Sequence, residues 1–224
     1  VNPVPSEDGS VSASLEGTYA SSTTDVEGST DPGEPSGSVE KNTVSVDLTP
    51  DDSSSASSAS LNVAADTAKS MADNGAALEV KSNIGTLTVS NDALKTISDN
   101  ANNEAVTLSI AKADTAEDTG TTSYELTAKT ANGTDVFIES AGFIEVSVPA
   151  PSNVTQDNVH VYYLGSNGAE EMDASVKDDN VVWTVNHFST YVVTATEQKV
   201  SVTVKGETKV YDDLTAALNA ITEE

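Results

Sequence analysis

From Asn42 onward, apolar and polar residues alternate in short runs separated by turn chemistry. Thr43-Val44-Ser45-Val46-Asp47-Leu48 has period two, the pattern of a strand with one face on a core. Leu61-Asn62-Val63 predicts another short strand. The period then lengthens: Ala68, Met71 and Ala72 share one face of a helix predicted over 64–74, and Gly75 stands where a left-handed cap suits glycine. Leu78 and Val80, a turn at Asn83-Ile84-Gly85, and Leu87 and Val89 predict a hairpin. Asn91 is the expected cap of a second helix over 92–100, with Leu94, Ile97 and Ala101 facing inward.

Further on the pattern is almost all strand. Val106, Leu108 and Ile110 alternate, as do Tyr124, Leu126 and Ala128, and then Ile144, Val146 and Val148. Turn residues fall between them at Asn132-Gly133, Ala141-Gly142, Asn167-Gly168 and Asp178-Asp179-Asn180. Residues 159–164, 181–185 and 190–194 are rich in β-branched and aromatic side chains, as buried strands are. The expected fold is mainly β, an antiparallel sandwich over about 42–196 with two short helices. Beyond it, Val200 to Val204 restarts the alternation and Gly206 turns it. Asp212 or Asp213 caps a helix carrying Leu214, Ala217, Leu218 and Ile221. That β-β-α piece, 197–224, is too small to bury its own face and reads as the start of a second, truncated module.

Residues 1–41 differ in kind. Ser, Gly, Pro, Asp and Glu dominate, and the first basic residue is Lys41. Such a stretch cannot bury enough apolar area to offset an ordering entropy of about 1–2 kcal/mol per residue, so a disordered, extended tether is expected. Residues 51–58 are similarly Ser-rich and read as a long loop. Over the whole chain 10 basic residues, all Lys, oppose 36 acidic ones, for a net charge of −26. That surface repels nucleic acid and anionic lipid. There is no cysteine, which excludes disulfides, thiolate nucleophiles and Cys-based zinc sites. No run of about 18 apolar residues offers a membrane span. The first residues, Val1-Asn2-Pro3-Val4-Pro5, have neither initiator Met nor signal peptide and read as a processed or excised end.

Three runs carry a resemblance: "GAALEVKSNIGTLTVSNDALKTI" (75–97), "NVHVYYLGSNGAEEMDA" (158–174) and "VVWTVNHFSTYVV" (181–193). Together they resemble an extracellular module of large Gram-positive, S-layer-associated bacterial surface proteins. "VSVTVKGETKVYDDLTAALNAI" (200–221) is similar to the opening of repeat modules in such proteins, often the cap of a right-handed β-helix. The resemblance implies an exported, multidomain, wall-associated or secreted parent, with an extracellular location and neighbouring domains of that parent as partners. It implies no catalysis and no fixed binding residues.

Candidate chemistry is sparse. His187-Phe188-Ser189 is similar to the triplet cut in self-processing sandwiches of some signalling proteins. On that resemblance His187 is the base, Phe188 loses its amide and Ser189 is the nucleophile. The alternative for the triplet is a structural lead-in to a core strand. His160, between two valines, reads as a hydrogen-bonded structural histidine, and no zinc-type spacing is present. Tyr162, Tyr163, Trp183 and Tyr191 form either a sugar-binding aromatic platform or core; with aromatics only 4% of the chain, core is favoured. Loop acids at Asp51-Asp52, Glu117-Asp118 and Asp178-Asp179 lack calcium-loop spacing, so no cofactor or metal is expected, calcium being the weaker alternative. Lys81 and Lys129 lie on strands, the position an intramolecular Lys–Asn crosslink needs, although most surface lysines lie there too. The expectation is a non-catalytic structural or adhesion module, not an enzyme. A module binding host glycans or proteins, and a sandwich cut between Phe188 and Ser189, are the alternatives.

Overall fold

The computed structural model describes residues 6, 9–19, 42–50, 56–113, 121–138, 142–165 and 168–195, and the backbone of 200–204 and 207–211. In chain order the first elements are β1 (Ser10–Leu15), β2 (Thr43–Asp47), β3 (Ser58–Val63), α1 (Ala65–Asp73), β4 (Ala77–Lys81), β5 (Thr86–Val89) and α2 (Asn91–Asn100). There follow β6 (Val106–Ala113), β7 (Thr121–Thr130), β8 (Ile144–Pro149), β9 (His160–Gly165), β10 (Gly168–Met172), β11 (Ala174–Lys177), β12 (Asn180–Val185) and β13 (Thr190–Thr194). Finally, β14 (Val200–Val204) and β15 (Glu207–Tyr211) make a separate antiparallel pair.

Two larger sheets pack face to face, as the alternation predicts. One has seven strands in the order β1-β3-β6-β7-β13-β9-β10, the other six in the order β11-β12-β8-β5-β4-β2. The alternating residues of each strand converge on one core: Leu61, Leu108, Ile110, Leu126 and Val193 from the first sheet meet Leu78, Leu87, Val146, Val148 and Val185 from the second. Each such side chain taken from water contributes about 1.5–3 kcal/mol. The helices pack on each other and on β4, and bury Ala68, Met71, Leu94 and Ile97.

Both sheets are mixed, not purely antiparallel. β1 lies parallel to β3 and β2 parallel to β4, each at a sheet edge. Parallel partners need a long crossover, here residues 16–57 and 48–76. Period-two alternation identifies a strand but says nothing of its partner. β1 also corrects the expected tether: residues 10–15 are strand, with Val11 in the core at 1% exposure. Its other residues are small or half-buried, so an edge strand hides there in a composition that reads as disorder. The Ser-rich loop likewise ends earlier than expected, because Ser58 opens β3 and Ala56 is buried. Tether residues 1–5, 7–8 and 20–41, loop residues 51–55 and the C-terminal helix over 212–224 lie outside the described residues.

Two strands escape the periodicity. β10 is Gly-Ala-Glu-Glu-Met and β11 Ala-Ser-Val-Lys, both edge strands with little buried apolar surface. Only Asp173 separates them, so one bent strand leaves the edge of the first sheet and joins the edge of the second. β11 then turns into β12 through Asp178 and Asp179, both at positive φ (48° and 61°), as a two-residue primed turn requires.

The cap of α2 is Ser90, whose hydroxyl accepts from the Ala93 amide. The same hydroxyl also accepts from Phe143 N at 3.0 Å. Asn91, the expected cap, instead donates Nδ2 to the carbonyls of Ala72 and Ala76, both at 3.0 Å, and ties the end of α1 to the start of α2. Gly142 passes over this corner at φ 85°, where a Cβ would run into the amide nitrogen of Ala93; Gly75, at φ 71°, has open space around it. Gly75→Ala is expected to cost about 1 kcal/mol, the backbone term alone. Gly142→Ala should cost at least about 3 kcal/mol, since the cap must also move. Thermal unfolding of the two variants checks the difference, and equal losses contradict this packing.

Candidate functional site

The one tryptophan anchors a run of rings that crosses the core and ends at the surface. Trp183 on β12 lies 6.4 Å from Tyr124 on β7 and 6.0 Å from Tyr191 on β13, so one ring of the second sheet packs on two of the first. Tyr191 continues to Tyr163 at 5.9 Å and to His187 at 5.9 Å, and His187 stands edge-on to Tyr163 at 4.4 Å. These spacings fall in the range where aromatic pairs contribute beyond their buried area. Burial pushes the Tyr124 phenol up to about 12 and the Tyr191 phenol higher still, so both stay protonated.

Tyr191 uses its proton. Its hydroxyl donates to the carbonyl of His187, four residues upstream, at 2.9 Å. A tyrosine entering a strand and bonding back to the preceding turn is the tyrosine-corner device of β-sandwiches. The other end of the turn is held by Leu126 N, which donates to Ser189 O at 2.8 Å. The 186–189 connection is therefore fixed at both ends by the core beneath it.

His187 sits in that turn with Nδ1 at 2.9 Å from Asn186 Oδ1, while Nε2 is buried without a partner among the described residues. Burial holds its pKa below the ordinary value, and Glu170 opposes this without reversing it. The ring is thus neutral near pH 7, with the Nδ1 proton given to Asn186. Neither ring nitrogen bonds Ser189, and none of residues 187–189 has positive φ.

Two surface pockets flank the turn. One, of about 410 Å³, is lined by Phe143, Tyr163, Glu170, Thr184, Asn186 and His187, among others. The other, of about 310 Å³, includes Glu125, Thr127, Asp135, Phe137, Phe188 and Ser189. Phe143 and Phe137 are 41% and 60% exposed, an uncommon state for phenylalanine. Phe188, half-buried, packs between pocket and core.

The four aromatics proposed as a platform do not share a surface. Trp183 and Tyr191 are core, at 2% and 0% exposure. The β9–β13 register puts Tyr163 on the core side with Tyr191 and turns Tyr162 to the other face. Tyr162 is buried there, stacked on His160 at 6.1 Å. His160 is hydrogen-bonded, as expected: Nδ1 is 2.6 Å from Glu171 Oε1. Of the proposed set, Tyr163, His187, Phe188 and Ser189 line the pockets. Phe143, Phe137, Glu170 and Thr184 were not legible as site residues. The only signal for Phe143 is an isolated aromatic directly after a turn glycine.

Lys81 and Lys129 are half exposed and paired with Glu79 at 2.6 Å and Asp135 at 3.8 Å, so neither is the buried lysine a crosslink requires. Asp178 and Asp179 serve the β11–β12 turn; Asp51-Asp52 and Glu117-Asp118 lie outside the described residues. Among the described residues no three potential ligands cluster in a way that could hold a metal, and no helix is long and apolar enough to cross a membrane. No protein-family model, curated protein or solved structure matches the chain.

A lowered folded-state pKa at His187 makes stability depend on pH with a definite sign. Above the unfolded-state value both states are neutral and stability is complete. As pH falls from there toward the folded value, only the unfolded chain gains the proton, and stability drops. His187→Gln is expected to remove this part of the loss between pH 7 and pH 5.5. Denaturant unfolding of both chains at the two pH values checks it, and parallel losses contradict it.

Proposed function

We propose that the chain is a non-catalytic structural and adhesion module of a bacterial cell-surface or secreted multidomain protein, and that the surface around residues 186–189 is its contact surface. The single observation carrying this reading is the pair of exposed phenylalanines, Phe137 and Phe143, in pockets on either side of one turn. Exposed aromatic side chains on a rigid support lose little conformational entropy on binding, the property of interface anchors. The support here is the Trp183–Tyr191 packing and the two backbone anchors of the turn. A net charge of −26 keeps such a module soluble and discourages contact with polyanions.

The other features of the chain fit this role. A strand pair at 200–211 follows the sandwich, as expected of one module among several. His160 is paired with Glu171, and His187 packs in the aromatic run with Nδ1 on Asn186. Partners of the module are neighbouring domains of the same parent and the target of the contact surface.

A glycan target is the reading that the larger pocket favours. Phe143 and Tyr163 offer ring faces, and Glu170, Asn186 and Thr184 offer acceptors and donors for hydroxyls. In a screen of the whole chain against immobilised glycans and host surface proteins, Phe143→Ala is expected to weaken a captured glycan at least tenfold, with thermal stability within a few degrees of the parent. Phe137→Ala instead reports a protein target gripping the other side of the turn. A screen with no captured target, or capture indifferent to both substitutions, contradicts the adhesion reading. Incubation of the purified chain at neutral pH should leave one intact mass; fragments meeting at Phe188 and Ser189 contradict the non-catalytic reading.

A further inference from the structure

β1 is held differently from every other strand of the seven-stranded sheet. It lies at the edge, it is parallel to its neighbour, and its connection to β2 runs through residues 16–42. The contacts flanking the strand have one polarity. Ser57 N donates to Gly9 O at 2.8 Å and Ala64 N to Leu15 O at 3.0 Å. Thr67 Oγ1 donates to Gly17 O at 2.6 Å, and Ser70 Oγ to Tyr19 O at 2.8 Å. At both ends of β1 the slot between the edge of β3 and the first turns of α1 thus offers donors to carbonyls of residues 9–19, while along the strand the parallel ladder with β3 exchanges bonds in both directions. Val11 fills the apolar end of the slot at 1% exposure, with Ala13, Leu15 and Tyr19 half-buried beside it.

These are the parts of strand addition: backbone bonds along a sheet edge give affinity and a buried side chain fixes register. Between Tyr19 and Asn42 stand residues 20–41, rich in Ser, Gly, Pro and acids. Fully extended, that length spans roughly 75 Å. A domain of this size is about 40 Å across. Chain length therefore allows the strand to reach a neighbouring copy, and nothing in its contacts distinguishes its own slot from an identical one.

We propose that the β3–α1 slot is a strand-acceptor site and that residues 9–19 of a second copy of this chain fill it, joining copies by strand exchange. The site is separate from the 186–189 surface, so its failure leaves that reading untouched.

The test uses the full chain carrying Val11→Asp, which disables its own strand, and a synthetic peptide of residues 9–19. The peptide is expected to bind this variant one to one, at least tenfold more tightly than it binds the parent chain, and to raise its melting temperature. If V11D does not fold alone, peptide-dependent recovery of the buried Trp183 fluorescence is the same readout. In parallel, two mass-tagged forms of the parent chain, unfolded and refolded together at high concentration, should yield mixed dimers by native mass spectrometry, and two forms of V11D none. A variant that the peptide neither binds nor rescues, or a refolded parent that stays wholly monomeric, overturns the proposal.

Discussion

The packing of Trp183 against Tyr124 and Tyr191 is the contact on which the arrangement of this molecule turns. Two sheets of short alternating strands can slide over one another with little loss of buried area, because burial is not directional. A large ring wedged between two rings of the facing sheet removes that freedom. The indole nitrogen has no partner among the described residues, so Trp183 acts there through shape and area rather than through a bond. Tyr191 carries the constraint outward: its ring packs on Trp183 and its hydroxyl holds the carbonyl of His187. The turn over 186–189, and with it both pockets, inherits its position from the core.

The rest of the sandwich is consistent with this centre. The bent strand β10–β11 closes one side by passing from sheet to sheet through Asp173. The helices, tied by Asn91 and capped at Ser90, brace the corner where Gly142 and Phe143 enter β8. Ser90 thereby serves a helix and a pocket at once: it ends the backbone need of α2 and holds the amide of Phe143. Aromatic residues are few: Tyr124, Tyr162, Trp183 and Tyr191 are buried, Tyr19, Tyr163 and Phe188 half-buried, and Phe137 and Phe143 exposed. That scarcity gives the two exposed phenylalanines their weight.

Strands whose alternation buries large side chains were legible in the sequence, and so were both helices and the positive-φ positions Gly75, Gly133, Gly142, Gly168, Asp178 and Asp179, whereas the positive-φ pair Asn102 and Asn103 after α2 was not. Val106, Leu108 and Ile110 could hardly serve another purpose. What escaped was structure stabilised by backbone bonds in polar surroundings. β1 alternates Val11, Ala13 and Leu15 with serines inside a Ser-, Gly- and acid-rich stretch that hides it, and β10, Gly-Ala-Glu-Glu-Met, looks like loop until a neighbouring edge supplies its partners. The choice between Ser90 and Asn91 was equally hidden, because either can cap and only the nearby Ala72 and Ala76 carbonyls decide. For the site, the sequence marked His187, Phe188 and Ser189 as unusual, and the structure places all three at the walls of the two pockets. The pockets around them depend on Phe143 and Glu170, brought from other strands by a topology that periodicity does not encode.

The most direct test of this account is a double-mutant cycle between Trp183→Phe and His187→Ala, read by equilibrium unfolding. The two side chains make no ring contact with each other; each packs on Tyr191. If the core sets the turn through that tyrosine, the two losses will depart from additivity by at least about 0.5 kcal/mol, and the coupling will vanish in a Tyr191→Leu background. Strictly additive losses would mean that the turn is held independently of the core, and the account would be wrong.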